Sequence, residues 1–443
     1  MNTQKLIEKA KSAGIETIEI YIQKAEKESI NVYEQKVDSF TIAQSGGLAI
    51  RGLYQGKMGY CFLEEDSDDN IDLCIEMIKS NAQAIESEDS AMIYQGDKNY
   101  PEIEKSVSHM SETSVTDKIN FLKEVEEKLL NADERISQVM ETMMESEKAE
   151  TRIVNSLGMD ISKSDEVCVF YANVLANEEN DHKSAYEIRV LRDIEHYDVD
   201  AFVADLKNKV LSKLNAVQVK SGKYKVILKN EAMCSLLGAL CGLFNGENVY
   251  KGISQLKDKC GEMIFDEKIT IKDDPLKKDG LSSSPFDDEG VACFTKTIVD
   301  HGRLKMFLHN QKSAAMMKCE STGNGFKNGY ASSVGISPTN FYIENGENSF
   351  DELLAIMKDG LVIDELNGLH AGLNPISTDF SLQASGYLVE NGKITRPVNL
   401  ITVAGNFLSM MKDVEAVGND TYDSLSGISS PSLLLNELSI SGE

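Results

Sequence analysis

Residues 224–244 read YKVILKNEAMCSLLGALCGLF. Tyr224 to Leu228 is short, apolar and β-branched, the pattern of a buried strand. Ala232, Leu236, Leu240 and Phe244 then recur every four residues, flanked by Met233, Leu237 and Cys241. That spacing predicts a helix with one broad apolar face. Asn230 is expected at its N-cap, with Glu231 in the first turn, where the helix dipole favours a negative charge. The other face carries Cys234, Ser235, Gly238 and Gly242, small enough for a neighbouring backbone to come close. Asn245-Gly246 is expected to stop the helix. A strand feeding a helix of this kind predicts a central element packed on both sides.

Upstream, the pattern predicts a helix over 4–12, strand-like runs over 17–24 and 28–34, and a β-hairpin over 45–65 turning at Gln55-Gly56. A helix over 68–85 follows, then a polar surface connection over 87–115. Thr116 is expected to cap a helix that buries Ile119, Leu122, Val125 and Leu129. Further strands are expected over 136–144, 147–154, 159–164, 166–175 and 185–191, and a helix over 198–214. Neighbouring strand runs with helices between them indicate an antiparallel sheet with helices on one face, so the class is α+β.

Composition shifts near residue 220: only 8 of the 31 glycines and one of the 7 prolines lie before it. The expected division is therefore 1–218, an α+β domain, and 219–443, a β-rich domain with one central helix and a second helix over 349–358. The length of 443 residues itself calls for more than one core. No apolar run approaches the roughly 18 residues of a membrane span. The start, MNTQKLIEKAKSAGIE, lacks the apolar core of a secretory signal. A cytoplasmic protein without a membrane partner is expected. The net charge of -27 and the lack of a basic cluster argue against nucleic acid. The eight cysteines include no C-x-x-C pair and are expected as reduced thiols.

Local motifs offer little chemistry by themselves. No two of the six histidines stand three to five residues apart, so no helix presents two imidazoles on one face. His370, in the glycine-flanked ELNGLHAGLNP, is the one to watch, because such loops carry function disproportionately. No G-x-S-x-G elbow and no phosphate-binding P-loop occurs. Three segments, STGNGF (321–326), LITVAGNFLSMM (400–411) and VGNDTY (417–422), are either ordinary turns or, together, the lining of a cleft where a peptide pairs with exposed backbone. Ser321, Thr322, Gly323, His370 and Asn406 are the candidate substrate-binding residues.

Longer motifs in order resemble one family. GGLAIRGLYQGKMGY, then DGLSSSPFDDEGVACFTKTIVDHGRLKMFL (279–308) with its D-x-E-G, then ESTGNGF, DGLVIDELNGLHAG, SGYLVENGKITRPVNLITVAGNFLSMM and VGNDTYDSLSGISSPSLLL follow the order of the TldD/PmbA family, within it the PmbA (TldE) branch. The resemblance implies a subunit of a zinc metallopeptidase complex acting in proteolysis and peptide maturation, a family also labelled modulator of DNA gyrase. It implies a TldD-like partner in a homo- or hetero-oligomer, and an unfolded peptide as substrate. In the TldD-like subunit, H-E-x-x-x-H on the central helix and a Cys near the C-terminus hold zinc. Carried over, those positions fall on Asn230, Glu231, Ser235 and, at or beside it, Ser430. Only the Glu remains, so Glu231 is expected to be inactive, and zinc is expected only in the partner. Two other readings stay open: a self-sufficient metallopeptidase with unrecognised ligands, and a non-enzymatic peptide-binding or scaffold protein.

Overall fold

The computed structural model describes residues 1–85 and 92–443. Long strands dominate the first half. β1 (Thr17–Tyr33), β2 (Lys36–Tyr54), β3 (Lys57–Leu63), β4 (Ile136–Asn155), β5 (Asp160–Glu178) and β6 (Asp181–Val190) form one antiparallel sheet ordered β3-β2-β1-β4-β5-β6. Two pairs of helices cover one of its faces. α1 (Thr3–Ser12) and α2 (Ile71–Ala84) bury Ile18, Ile20, Leu48, Ile50 and Cys61. α3 (Val115–Leu130) and α4 (Val199–Leu211) bury Ile30, Met144, Phe170 and Val174. Ile18, Ile20 and Ile30 are all even-numbered positions of β1, so both helix pairs lie on the same face.

β1, β4 and β5 are each one continuous strand where the apolar pattern predicts two. In β1 the polar break at Lys24, Glu26 and Lys27 is exposed, yet the ladder runs on through Lys24↔Gly46 and Glu26↔Gln44. The break marks the gap between two half-cores, and backbone hydrogen bonds cross it without needing an apolar face. Ser114, not Thr116, caps α3: its side chain accepts the Asp117 N–H at 3.1 Å. A short 3-10 turn, Asp68–Asn70, precedes α2.

Of the expected connection over 87–115, residues 87–91 lie outside the described residues. From 92 to 114 the chain has neither helix nor strand and is tied to the second half at a few residues. Tyr100 Oη donates to the Gly290 carbonyl at 2.9 Å, Asp97 accepts the Ala292 N–H at 2.8 Å, and Asp279 accepts both the Ser106 N–H and its hydroxyl at 2.7 Å. This segment links the sheet to the second half of the chain.

That second half is built around β7 (Gly222–Leu228) and α5 (Asn230–Leu240). One six-stranded sheet runs Lys393–Asn406, Asp379–Glu390, Gly360–Asn367, β7, Leu433–Ser441, Val414–Val417. Its first strand also pairs with Leu433–Ser441, through Val403↔Ile440, so the sheet curls back on itself. A second sheet of six short strands includes Ile271–Asp273, Lys296–Asp300, Phe341–Ile343 and Ile428–Ser430. α5 lies in the core that contains Val226, Leu228, Leu361, Ile363, Ile428 and Leu433, and buries Ala232, Met233, Leu236, Leu237 and Leu240. Every fully buried residue of that cluster lies between Val219 and Ile440. A smaller apolar cluster joins the halves: Tyr21, Ala49, Ile153 and Met159 from the open face of the first sheet meet Phe286.

The N-cap of α5 is Lys229, whose carbonyl accepts the Met233 N–H at 2.9 Å, and Asn230 is the first helical residue. After α5 a 3-10 turn, Cys241–Phe244, leads to α6 (Gly246–Tyr250), and Asn245 caps α6 by accepting the Glu247 and Asn248 N–H groups. Asn245-Gly246 thus starts a helix as well as ending one. On the small face of α5, Cys234 meets the Tyr422 backbone carbonyl at 3.4 Å, while a Cβ on Gly238 would sit 3.5 Å from the Ile428 side chain. The helix Phe350–Met357 has Ser349 as N-cap with a complete capping box to Glu352. All eight cysteines are free. Among the described residues, no helix is long and apolar enough to cross a membrane.

Candidate functional site

The first turn of α5 gathers residues from four segments. Asn230 is held at both ends of its amide. Its Nδ2 donates to the Asp420 carbonyl at 2.6 Å, and its Oδ1 accepts the Glu231 N–H at 2.8 Å. Its own N–H goes to the Ser432 hydroxyl at 3.1 Å, and that hydroxyl donates to the Asp420 carboxylate at 2.7 Å. Ser235 donates to the Glu231 carbonyl at 3.0 Å. Ser430 is fully buried, and its hydroxyl donates to the Pro431 carbonyl at 2.8 Å. Cys234 reaches the Tyr422 carbonyl at 3.4 Å, and burial pushes its thiol up to about 12.

Glu231 faces an ammonium. Lys209, in the last turn of α4, lies 3.2 Å from a Glu231 oxygen and 3.2 Å from Glu187 of β6. Burial opposes the Lys209 charge, but Glu231 and Glu187 outweigh it and hold its pKa above the ordinary lysine range. Arg189 also pairs with Glu187. Tyr422, beside this group, is pushed up to about 12 by burial and then by the Glu231 charge. The arrangement is a bridge of two carboxylates and one ammonium that joins α4 and β6 to the start of α5. Lys209 carries no local sequence signal, because a lysine in the last turn of a helix is what the helix dipole alone would favour. Asp420 lies in VGNDTY, one of the three segments singled out above.

The other candidate residues lie in separate places. The D-x-E-G motif holds the 321–326 loop. Asp287 accepts the Glu289 and Val291 N–H groups at 3.0 Å and the Gly325 N–H at 2.8 Å; Asp288 accepts the Lys327 N–H at 2.9 Å. Burial, then the neighbouring Glu289, pushes the Asp287 carboxyl up to about 8. Within the loop, Thr322 is buried, with its hydroxyl accepting the His309 N–H at 2.7 Å, and Ser321 donates to the His309 carbonyl at 3.2 Å. Gly323 has φ +68, and a Cβ there would lie 3.1 Å from the Ala292 carbonyl, so glycine fits the turn. Beneath it lies a fully buried ion pair, Lys296 to Asp273 at 3.1 Å. Asn406 caps the turn Phe407–Met410 and donates to Thr378 and Asp379, in a hollow of about 280 Å³ with Lys223 and Glu437. His370 is exposed on the short helix Leu369–Gly372. The structure therefore brings Asn230, Glu231, Ser235 and Ser430 to one helix end, and leaves Ser321–Gly323, His370 and Asn406 apart from it in the contacts they make.

Three family models match in succession: PmbA/TldA metallopeptidase domain 1 over residues 18–82, the central domain over 108–214, and the C-terminal domain over 221–442. The chain is 29% identical to "Metalloprotease PmbA" of Escherichia coli O157:H7, an alignment covering 99% of this chain and 97% of that protein. A crystal structure from Thermotoga maritima, described as a candidate modulator of a DNA gyrase, superposes with TM-score 0.91 at 34% identity, covering 99% of each chain. TldE from Thermococcus kodakarensis shares the fold, with TM-score 0.89 at 22% identity over 99% of each chain. Matched along almost its whole length, domain after domain, the chain belongs to the PmbA/TldD metallopeptidase family.

Proposed function

We propose that this chain is a PmbA/TldE-like subunit of a TldD-type peptidase complex in the cytoplasm, which helps enclose an unfolded peptide while a TldD-like partner supplies the zinc and the catalysis. The observation that carries this reading is the Lys209 ammonium 3.2 Å from Glu231. A carboxylate that is to activate a metal-bound water needs the metal beside it. Here a lysine is the neighbouring cation. The donor set does not suit a hydrolytic zinc, which takes three imidazole, thiolate or carboxylate ligands and leaves one position open. Asn230, Ser235 and Ser430 offer an amide and two hydroxyls, each already hydrogen-bonded within the protein. Among the described residues, no group of three or more His, Cys, Asp or Glu side chains is placed to hold a metal.

In this reading the Glu187–Lys209–Glu231 bridge has a structural duty. It fixes α5 against the preceding domain and so shapes the wall that meets the partner. The division into 1–218 and 219–443 belongs to the same proposal, since the bridge crosses it. The test is metal analysis and peptidase assay of the purified chain, alone and with a TldD-like chain from the same source. The expected result is no bound zinc and no cleavage alone, and cleavage in the mixture that survives Glu231→Gln. Stoichiometric zinc in the isolated chain, with peptidase activity lost on chelation, would promote the self-sufficient peptidase.

A further inference from the structure

A cavity of about 490 Å³ lies between the open face of the first sheet and the second half of the chain. This is within the roughly 300–1,000 Å³ range of small-molecule sites. Glu19 and Tyr21 of β1, Arg51 of β2, and Tyr60 and Phe62 of β3 line one side. Glu289 of the D-x-E-G motif, Met316 and Lys327 line the other. None of the residues of the α5 cluster takes part, so this site is separate from the one above.

Its two carboxylates are buried, and its two cations are half-buried. Glu19 is 3% exposed and Glu289 4%. Arg51 Nε donates to Glu19 Oε1 at 2.7 Å, and among the described residues the two terminal guanidinium nitrogens have no hydrogen-bond partner. Glu19 Oε2 is buried without a partner. Glu289 uses one oxygen to accept the Gln311 N–H at 2.7 Å. Lys327 sits over the Tyr21 ring at 4.6 Å, donating to the Tyr330 carbonyl at 3.3 Å. Guanidinium N–H groups that reach a cavity without a protein partner among the described residues, facing the Glu289 carboxylate across it, suit a ligand that carries both complements. Beside them, Tyr60 and Phe62 stack with ring centroids 6.5 Å apart and remain 38% and 42% exposed. An uncovered aromatic pair next to charges of both signs calls for an apolar group on the same ligand.

We propose that this cavity binds an α-amino-acid zwitterion with an apolar side chain, as the free amino acid or as a short peptide. The carboxylate is met by the open N–H groups of Arg51, with Lys327 beside them. The ammonium is met by the Glu289 carboxylate, while Glu19 holds Arg51 in place. The side chain lies against Tyr60, Phe62 and Met316. A net anion would leave Glu289 unmet, and a net cation would leave Arg51 unmet. Guanidinium N–H groups recognise a carboxylate with both charge and direction. The proposal goes beyond the peptidase-subunit reading and does not depend on whether this chain holds zinc.

The test is isothermal titration calorimetry of the full chain with L-leucine, Leu-Leu, and N-acetyl-Leu-Leu-amide. Saturable binding of leucine or Leu-Leu is expected, and whichever binds tighter identifies the source. Blocking both ends is expected to weaken binding about tenfold or more, the scale of losing a charged hydrogen bond. Arg51→Gln strands Glu19, so Glu19→Gln/Arg51→Gln is measured too, with circular dichroism confirming the fold; both are expected to abolish end-group selectivity. Phe62→Ala changes an exposed side chain, leaves the fold, and is expected to weaken Leu-Leu. Absence of saturable heat from all three probes, equal binding of the end-blocked compound, or wild-type binding by the double variant would each overturn the proposal.

Discussion

Replacing Lys296 with methionine tests whether the 321–326 loop hangs on one buried charge. Lys296 and Asp273 are both fully buried, with Nζ 3.1 Å from Oδ2. The ammonium also donates to the Thr322 carbonyl at 3.0 Å. Asp273 keeps other donors: the Thr339 N–H at 2.6 Å, its hydroxyl at 2.7 Å, and the Asn324 amide at 2.8 Å. Methionine matches the stem of lysine and removes only the charged end. Removing one partner of a buried pair typically costs about 3–5 kcal/mol, because the other charge stays behind. The three remaining donors to Asp273 place the loss at the lower end, and the orphaned Thr322 carbonyl adds to it. Lys296→Met should therefore cost about 3 kcal/mol. Adding Asp273→Asn should recover part of that, with a coupling of about 1–3 kcal/mol in the double-mutant cycle. Urea unfolding of the three variants, followed by a probe in the second half of the chain, measures both quantities. A loss below about 1 kcal/mol, or simple additivity, would refute the argument that this pair anchors the loop.

The remaining predictions concern other parts of the fold. Gly238→Ala should be neutral or stabilise by up to about 1 kcal/mol, since the new Cβ meets Ile428 at an ordinary 3.5 Å in a helix that prefers alanine. Gly238→Leu should cost about 1–3 kcal/mol by overpacking; thermal unfolding decides, and an unchanged midpoint would mean the site is open. Asp287 has its carboxyl raised to about 8 in the folded state. The folded chain therefore binds the extra proton, and this contribution is full below the ordinary carboxylate range and is lost as pH rises toward 8. Melting temperature should accordingly fall from about pH 5 to 8 more steeply in the native chain than in Asp287→Asn; equal slopes would refute it. Lys209→Ala should cost only about 1 kcal/mol, because Lys209 and Glu231 remain partly exposed at 28% and 35% and Arg189 still covers Glu187. The same variant should weaken association with a TldD-like partner, measured by analytical ultracentrifugation.

The amino-acid pattern by itself determined a great deal here. The strand 224–228 and the helix after it are local facts, set by apolar spacing and by an acidic first turn. The α+β class follows from strand runs between helices, and the shift in glycine and proline marks the turn-rich second half. The ordered motifs were specific enough to place the family, and the resemblance singled out Asn230, Glu231, Ser235 and, at or beside it, Ser430 before any coordinates. Tertiary structure decided what those residues touch. Lys209 reaches Glu231 from a helix 22 positions upstream, and no periodicity records such a meeting. The continuity of β1 across an exposed polar break depends on hydrogen bonds to β2 and β4, which side-chain pattern does not encode. The role of D-x-E-G as the clasp of another loop, and the cavity where that motif faces Arg51 and Glu19, exist only because the first sheet turns its open face to the second half of the chain. Periodicity reports which face of an element is buried. It is silent on which distant element covers that face, and the chemistry of this protein lies in those long-range meetings.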